Sequence, residues 1–233
     1  YEKEEGVEGT FGLYTATVGY KFAKRHAAFA GFRYAGGLKV KGFNMLGEPT
    51  KDYKPYDWTI DFGYAYMIGK GFSVYATGSI IFSHLSKNAN GGAFTVGASY
   101  QNNDMTVANK SANFMVDAKV AAIGPKLDYG NGYKVSMPTH VAVGGALSVD
   151  MADKHQVGAA VSARYFFQPS ETKVFMAGGG LEYTYNNMVS VRAGYEYGDH
   201  NLSHFTMGAG IKYRGLRLNG GYMLKTVDAG SSY

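Results

Sequence analysis

Few side chains in this sequence have the type and spacing to do chemistry. His200 and His204 share a segment with Asp199, a set with enough donors for a cation, while Asp61, and Asp117 beside Lys119, offer acid and base groups. Gly178, Gly179 and Gly180 form a run that would cradle a phosphate if it lay in a strand-to-helix turn. Each has a plainer reading. His26, His84, His140, His155, His200 and His204 fall at strand ends or in connections and form no HExxH or other metal-ligand spacing. The glycine run lies inside an alternating segment, where glycine serves close packing or bending of a sheet. Without cysteine there is no thiolate ligand, disulfide or cysteine nucleophile. No nucleophile stands with a base, so the expectation is a non-enzymatic protein with no catalytic residue, no metal and no cofactor.

The elements that carry these groups are strands. Tyr14, Ala16, Val18, Tyr20 and Phe22 alternate with Thr15, Thr17, Gly19 and Lys21, and Trp58, Ile60, Phe62, Tyr64, Tyr66 and Ile68 alternate with Thr59, Asp61, Gly63, Ala65 and Met67. The pattern returns over 94–100, 157–167, 189–197 and 205–213. About twelve such segments of about ten residues begin near 12, 27, 57, 72, 93, 112, 140, 155, 174, 188, 204 and 216, the spacing of an antiparallel β architecture. No linker or composition shift interrupts them, and one domain over 1–233 is expected.

Composition narrows the class. Among 233 residues are 33 glycines, and 15% are aromatic, which excludes disorder and disfavours a helical bundle. No apolar run nears the roughly 20 residues of a membrane helix. The net charge of +5 is dispersed rather than clustered, so nucleic acid is not an expected partner.

The two faces of the strands decide between a soluble sandwich and a membrane barrel. The apolar face is almost free of charge and ends in two aromatic girdles, one with Tyr20, Phe22, Tyr66, Tyr183, Tyr185 and Tyr213, the other with Phe32, Tyr34, Trp58, Tyr165, Tyr195 and Phe205. The opposite face is small and polar, with isolated charges at Arg33, Asp61, Asp117, Lys119, Arg164, Glu182, Arg192, Glu196 and Lys212, as a barrel lumen allows. These charges are read first as partners that stabilise the wall, and only second as an attraction for anionic solutes. The fold class is therefore all-β, an antiparallel transmembrane β-barrel, and the location the bacterial outer membrane, with outer-membrane lipid and lipopolysaccharide as surroundings. Val191, Ala193 and Ile211 are expected to face lipid.

Connections alternate short and long: 23–26, 69–71, 151–154, 186–188 and 214–215 are short, while 44–56, 86–92, 168–173 and 198–203 are longer. Short turns face the periplasm in bacterial barrels, so the first strand runs downward. Twelve strands then leave one end of the chain on each side, and fourteen are expected for the complete protein. Residues 101–111 read as a periplasmic turn of unusual length. At Asn186, a three-residue loop keeps aromatics on one face and sets Glu182 opposite Arg192. On the long-loop side, Tyr53, Tyr56, Lys126, Tyr129, Tyr133 and Lys134 are candidate partner contacts, aromatic and basic anchors of the kind protein interfaces favour.

The segments KDYKPYDWTIDFGYAY (51–66), GAFTVGASYQN (92–102), AAIGPKLDYG (121–130), MPTHVAVGGALSV (137–149) and RAGYEYGDHNLSHFTMGAGIKYRGLRLNGGYML (192–224) resemble the PorV/PorQ family, itself related to FadL-type barrels. The resemblance runs through most of the chain, on loosely spaced glycines and aromatics. It implies a fourteen-stranded outer-membrane barrel associated with type IX secretion, in which family members bind exported cargo or anchor a surface complex. The family's N-terminal hatch, with its Asn-Pro-Ala element, and its final strand have no counterpart here, so no functional residue is carried over. Two functions follow. One is a subunit of a secretion or outer-membrane assembly complex, with other protein subunits as partners; the other is a FadL-type channel for hydrophobic or small solutes.

Overall fold

A computed structural model of the chain describes residues 7–42, 46, 48–85, 87–130, 132–170, 173–200, 202–214 and 216–225. The alternating segments are strands: β1 (Val7–Phe22), β2 (His26–Val40), β3 (Tyr56–Met67), β4 (Phe72–His84), β5 (Asn88–Val107), β6 (Lys110–Ile123), β9 (His140–Ala152), β10 (His155–Phe166), β11 (Val174–Tyr185), β12 (Val189–Gly198), β13 (His204–Tyr213) and β14 (Leu216–Lys225). They form one antiparallel sheet in chain order, and β1 and β14 stand at the two ends of that order. Two short strands, β7 (Leu127–Asp128) and β8 (Lys134–Val135), pair only with each other and lie outside the wall.

The chain packs as two units, one of Tyr1–Met67, Tyr75–Val96 and Ala121–Pro138, the other of Ile68–Val74, Gly97–Val120 and Thr139–Tyr233. The division passes through β4, β5 and β6. In both units the large apolar side chains point away from the polar face and are exposed, among them Phe62, Ile80, Val143, Val161, Val191 and Ile211. A water-soluble sandwich would bury such residues; a lipid-facing wall exposes them.

Tight turns close the short end. Ala23 and Lys24, Ala108 and Asn109, and Asn186 and Asn187 all adopt positive φ, the left-handed pairs that match the twist of a hairpin. The last of these gives the expected register, with Tyr185 opposite Val189, Tyr183 opposite Val191 and Glu182 opposite Arg192. The long turn expected over 101–111 is instead strand: β5 continues to Val107 and the turn is Ala108–Asn109. The Gln101 N–H donates to the Gly71 carbonyl (2.8 Å), so β5 runs on past the start of β4, in polar residues that lack alternation because neither of their faces meets lipid. The connection expected over 86–92 is also shorter, since β5 begins at Asn88.

Two histidines at this short end repeat one arrangement. His26, expected in a turn, begins β2 opposite Tyr66, and its Nδ1 lies 2.5 Å from the Tyr64 hydroxyl. His155 begins β10 opposite Tyr185, with Nδ1 2.7 Å from the Tyr183 hydroxyl. Both are girdle residues, apolar in body and polar at the tip.

The connection from β6 to β9 departs most from expectation. Ala122 adopts φ 56° with its N–H donating to Thr95 Oγ1 (3.3 Å), and the chain leaves the wall. Gly124 passes so near β5 that a Cβ there would stand 2.2 Å from the Gly92 carbonyl oxygen. The β7–β8 hairpin then folds onto the polar face of the first unit. Leu127, Tyr129 and Met137 bury against Ala89, flanked by Ile81 and Leu85, and the Tyr129 hydroxyl donates to Ser83 Oγ at 2.6 Å.

Asp128 holds the hairpin turn. Its Oδ1 accepts the Gly130 N–H at 2.8 Å and its Oδ2 lies 3.3 Å from Lys134 Nζ. The Gly130 N–H first and Lys134 second hold this carboxyl below the ordinary carboxylate range. A folded-state pKa below the unfolded one contributes stability fully above the ordinary carboxylate value, and the contribution is lost as pH falls through the lowered value. The protection of the Gly130 amide from hydrogen exchange should therefore be flat from neutral pH to the ordinary carboxylate range and drop below it; an unchanged protection factor in acid would count against this linkage.

Candidate functional site

Of the nine charges read from the sequence as polar-face, six pair with one another. In the first unit, Arg33 on β2 reaches diagonally across to Asp61 on β3, Nε to Oδ2 at 2.8 Å and Nη2 to Oδ1 at 2.9 Å, a two-pronged contact. Ser79 Oγ on β4 donates to the same carboxylate at 2.5 Å, and Asp61 is buried.

In the second unit, Arg192 bonds Glu182 directly across the β11–β12 ladder and also donates through Nη1 to Asn219 Oδ1 at 2.9 Å. Nearer the long-loop end, Arg164 on β10 pairs with Glu196 on β12. Lys212 lines a small polar cavity of about 40 Å³ beside Glu182, Thr184 and Ser190. Asp117 and Lys119 share the polar face of β6 and are half-buried. The expected role of these residues as mutual partners in the wall describes Arg33, Asp61, Arg164, Glu196, Glu182 and Arg192.

Between the two charged layers of the second unit the polar face is nearly bare. Ala146 on β9, Ala160 on β10 and Gly180 on β11 are direct cross-strand neighbours, and Gly194 continues the row on β12. Ser148, Gly158, Ser162 and Gly178 flank it. Together they line a cavity of about 550 Å³, within the range of small-molecule sites. The glycine run 178–180 thus builds a wall. Gly178 is required by backbone approach, for a Cβ there would stand 2.9 Å from the Tyr195 carbonyl oxygen.

The candidate partner contacts divide. Tyr129 is 7% exposed, which corrects the expectation of a surface contact: its ring belongs to the apolar cluster that holds the β7–β8 hairpin. Lys134 is tied to Asp128 in the same hairpin. Tyr133 and Lys126 are exposed. Tyr53 joins the β2–β3 connection to Val40 through two backbone hydrogen bonds, and Tyr56 stacks between Tyr34 and His84 on the apolar face. Asp199, which the sequence sets beside His200 and His204, accepts the Phe175 N–H at 2.8 Å, and His204 Nδ1 bonds the Leu202 carbonyl oxygen at 2.9 Å.

No protein-family model matches the chain, and neither does any curated protein. Solved structures do. The toluene transporter TbuX of Ralstonia pickettii matches over 84% of this chain and 71% of its own length, at 14% identity and a TM-score of 0.50. The toluene transporter TodX of Pseudomonas putida matches over 93% and 83%, at 13% identity and a TM-score of 0.50. The likeness shows the fold: an antiparallel transmembrane β-barrel. The finer resemblance, to the PorV/PorQ family, finds no support in these matches.

Proposed function

We propose that this barrel is a channel for small hydrophobic solutes of the size and chemistry of monoaromatic hydrocarbons, and that it is not an enzyme. The observation that carries the reading is the bare polar-face band of the second unit, where Ala146, Ala160, Gly180 and Gly194 leave a cavity of about 550 Å³ without a side chain to fill it. A wall built to hold a partner or a catalytic group would project side chains into that space. Charges border the band above and below, but Arg164 with Glu196, and Arg192 with Glu182, are each neutralised locally. An apolar solute passing them meets paired ions rather than a net field. The toluene transporters of like fold support the same solute class.

Cells that display the chain should take up a small monoaromatic solute faster than cells without it. Ala160→Trp, which puts an indole between Ala146 and Gly180, should cut that rate several-fold while the barrel still folds. Equal uptake with and without the chain would overturn the proposal.

A further inference from the structure

On the apolar face of the first unit, rings lie in two rows. Phe32, Trp58 and Phe82 form the lower row, with Trp58 and Phe82 3.9 Å apart and 10° from parallel. Tyr34, Tyr56 and His84 form the upper row, at centroid spacings of 6.2 and 5.1 Å and interplanar angles of 20° and 24°. Above the upper row Asp52 and Tyr53 lie along the end of β2, Tyr53 bonded to Val40 and Asp52 to Lys39 at 2.8 Å. The result is a pocket of about 630 Å³ with Tyr34, Tyr56 and His84 as its floor and Lys51 and Lys54 at its side. Lys51 and Lys54 are exposed and, among the described residues, make no ion pair. The carboxylate beside them, Asp52, is already bonded by Lys39, which holds its pKa below the ordinary range.

We propose that this pocket binds the phosphorylated sugar headgroup of an outer-leaflet glycolipid. Three features point to that occupant. Flat rings in a row offer apolar faces to the C–H faces of sugars, and sit at the level where aromatic girdles meet headgroups. Lysines with no protein anion supply charge complementary to phosphate, as basic pockets at membrane interfaces do. The pocket also opens on the same face as the lipid-exposed Phe32, Phe62 and Ile80, so acyl chains attached to a bound headgroup continue down the wall. A soluble anion has no use for that continuity. The site shares no residue with the solute cavity proposed above, and depends only on the long-loop end facing outward.

Trp58, the sole tryptophan, lies one row below the pocket and reports on it by its fluorescence. The purified barrel in detergent micelles would be titrated with a bisphosphorylated acylated glucosamine disaccharide, with its dephosphorylated form, and with inorganic phosphate. The expected result is a saturable change with the phosphorylated lipid, weaker by roughly tenfold or more in the Lys51→Ala/Lys54→Ala double variant and in the dephosphorylated lipid. Both lysines lie in the connection, outside the wall, so the variant barrel folds. Equal affinity of variant and wild type overturns the proposal, as does equal affinity for the two lipids or saturation by inorganic phosphate alone. Solute uptake should be the same in the double variant, so loss of headgroup binding and failure of the channel reading are told apart.

Discussion

Arginine in place of Val161 should prevent stable insertion of the barrel, while arginine in place of its neighbour Ser162 should leave insertion nearly intact. Val161 lies midway along β10 on the apolar face, directly between Gly145 and Gly179. With no side chain on either flank it is 67% exposed, and a guanidinium there would stand in hydrocarbon without a partner. The cost at mid-membrane is about 2–4 kcal/mol, a large share of a typical folding free energy. Ser162 points the other way. Its cross-strand neighbours Gly144 and Gly178 leave room, and the cavity before it is open. Folded yield in micelles, read by the altered migration of an unheated barrel, measures both. Similar yields for the two variants would show that the assignment of faces along β10 is wrong.

The second large effect is expected from releasing the inward hairpin. β7 and β8 have two residues each, and a two-stranded ribbon alone in water is marginal. Its place depends on the cluster of Leu127, Tyr129 and Met137 against Ala89. Leu127→Ala should remove roughly 2–5 kcal/mol from that contact, more than so short a ladder supplies. The segment 124–138 should then swing free, and protease added to intact cells should cut at Lys126 or Lys134. Gly91→Val tests the same contact from the wall, because a Cβ at Gly91 would stand 2.6 Å from a Leu127 methyl carbon and displace it. If both variants resist protease as the wild type does, the hairpin is held by something other than this cluster.

The wall was legible because two solvents sort its residues. Lipid on one side and a polar interior on the other impose a period of two that survives in nearly every strand, and at Asn186 the demand that aromatics share a face set the register and with it the Glu182–Arg192 pair. Where that sorting stops, so did the reading. Gln101 to Val107 alternate between no two solvents, and looked like a turn. Residues 127–135 did carry a hairpin signal, with Leu127 and Tyr129 alternating across an Asn-Gly step from Tyr133 and Val135. Its apolar face lies against the interior of the barrel rather than the membrane, and nothing local in the sequence tells an inward loop from an outward one. The bare cavity was equally hidden, because absence of side chains shows only once Ala146, Ala160, Gly180 and Gly194 are brought into one row.

That row also bears on how such a protein changes over generations. Single-nucleotide changes in glycine codons reach alanine, serine, valine, arginine and, depending on the third base, aspartate or glutamate, so a cavity lined by glycine lies one step from many linings. The steps are unequal here. At Gly178 and Gly194 a Cβ would meet a neighbouring strand's backbone or a threonine hydroxyl at 2.9–3.0 Å, and selection must keep them. At Gly158 the nearest atoms are 3.8 Å away, an ordinary contact. Innovation in this lining is therefore channelled to β10, where Gly158, Ala160 and Ser162 stand in succession, and a lineage adapting to a new solute would be expected to record its history along that one strand.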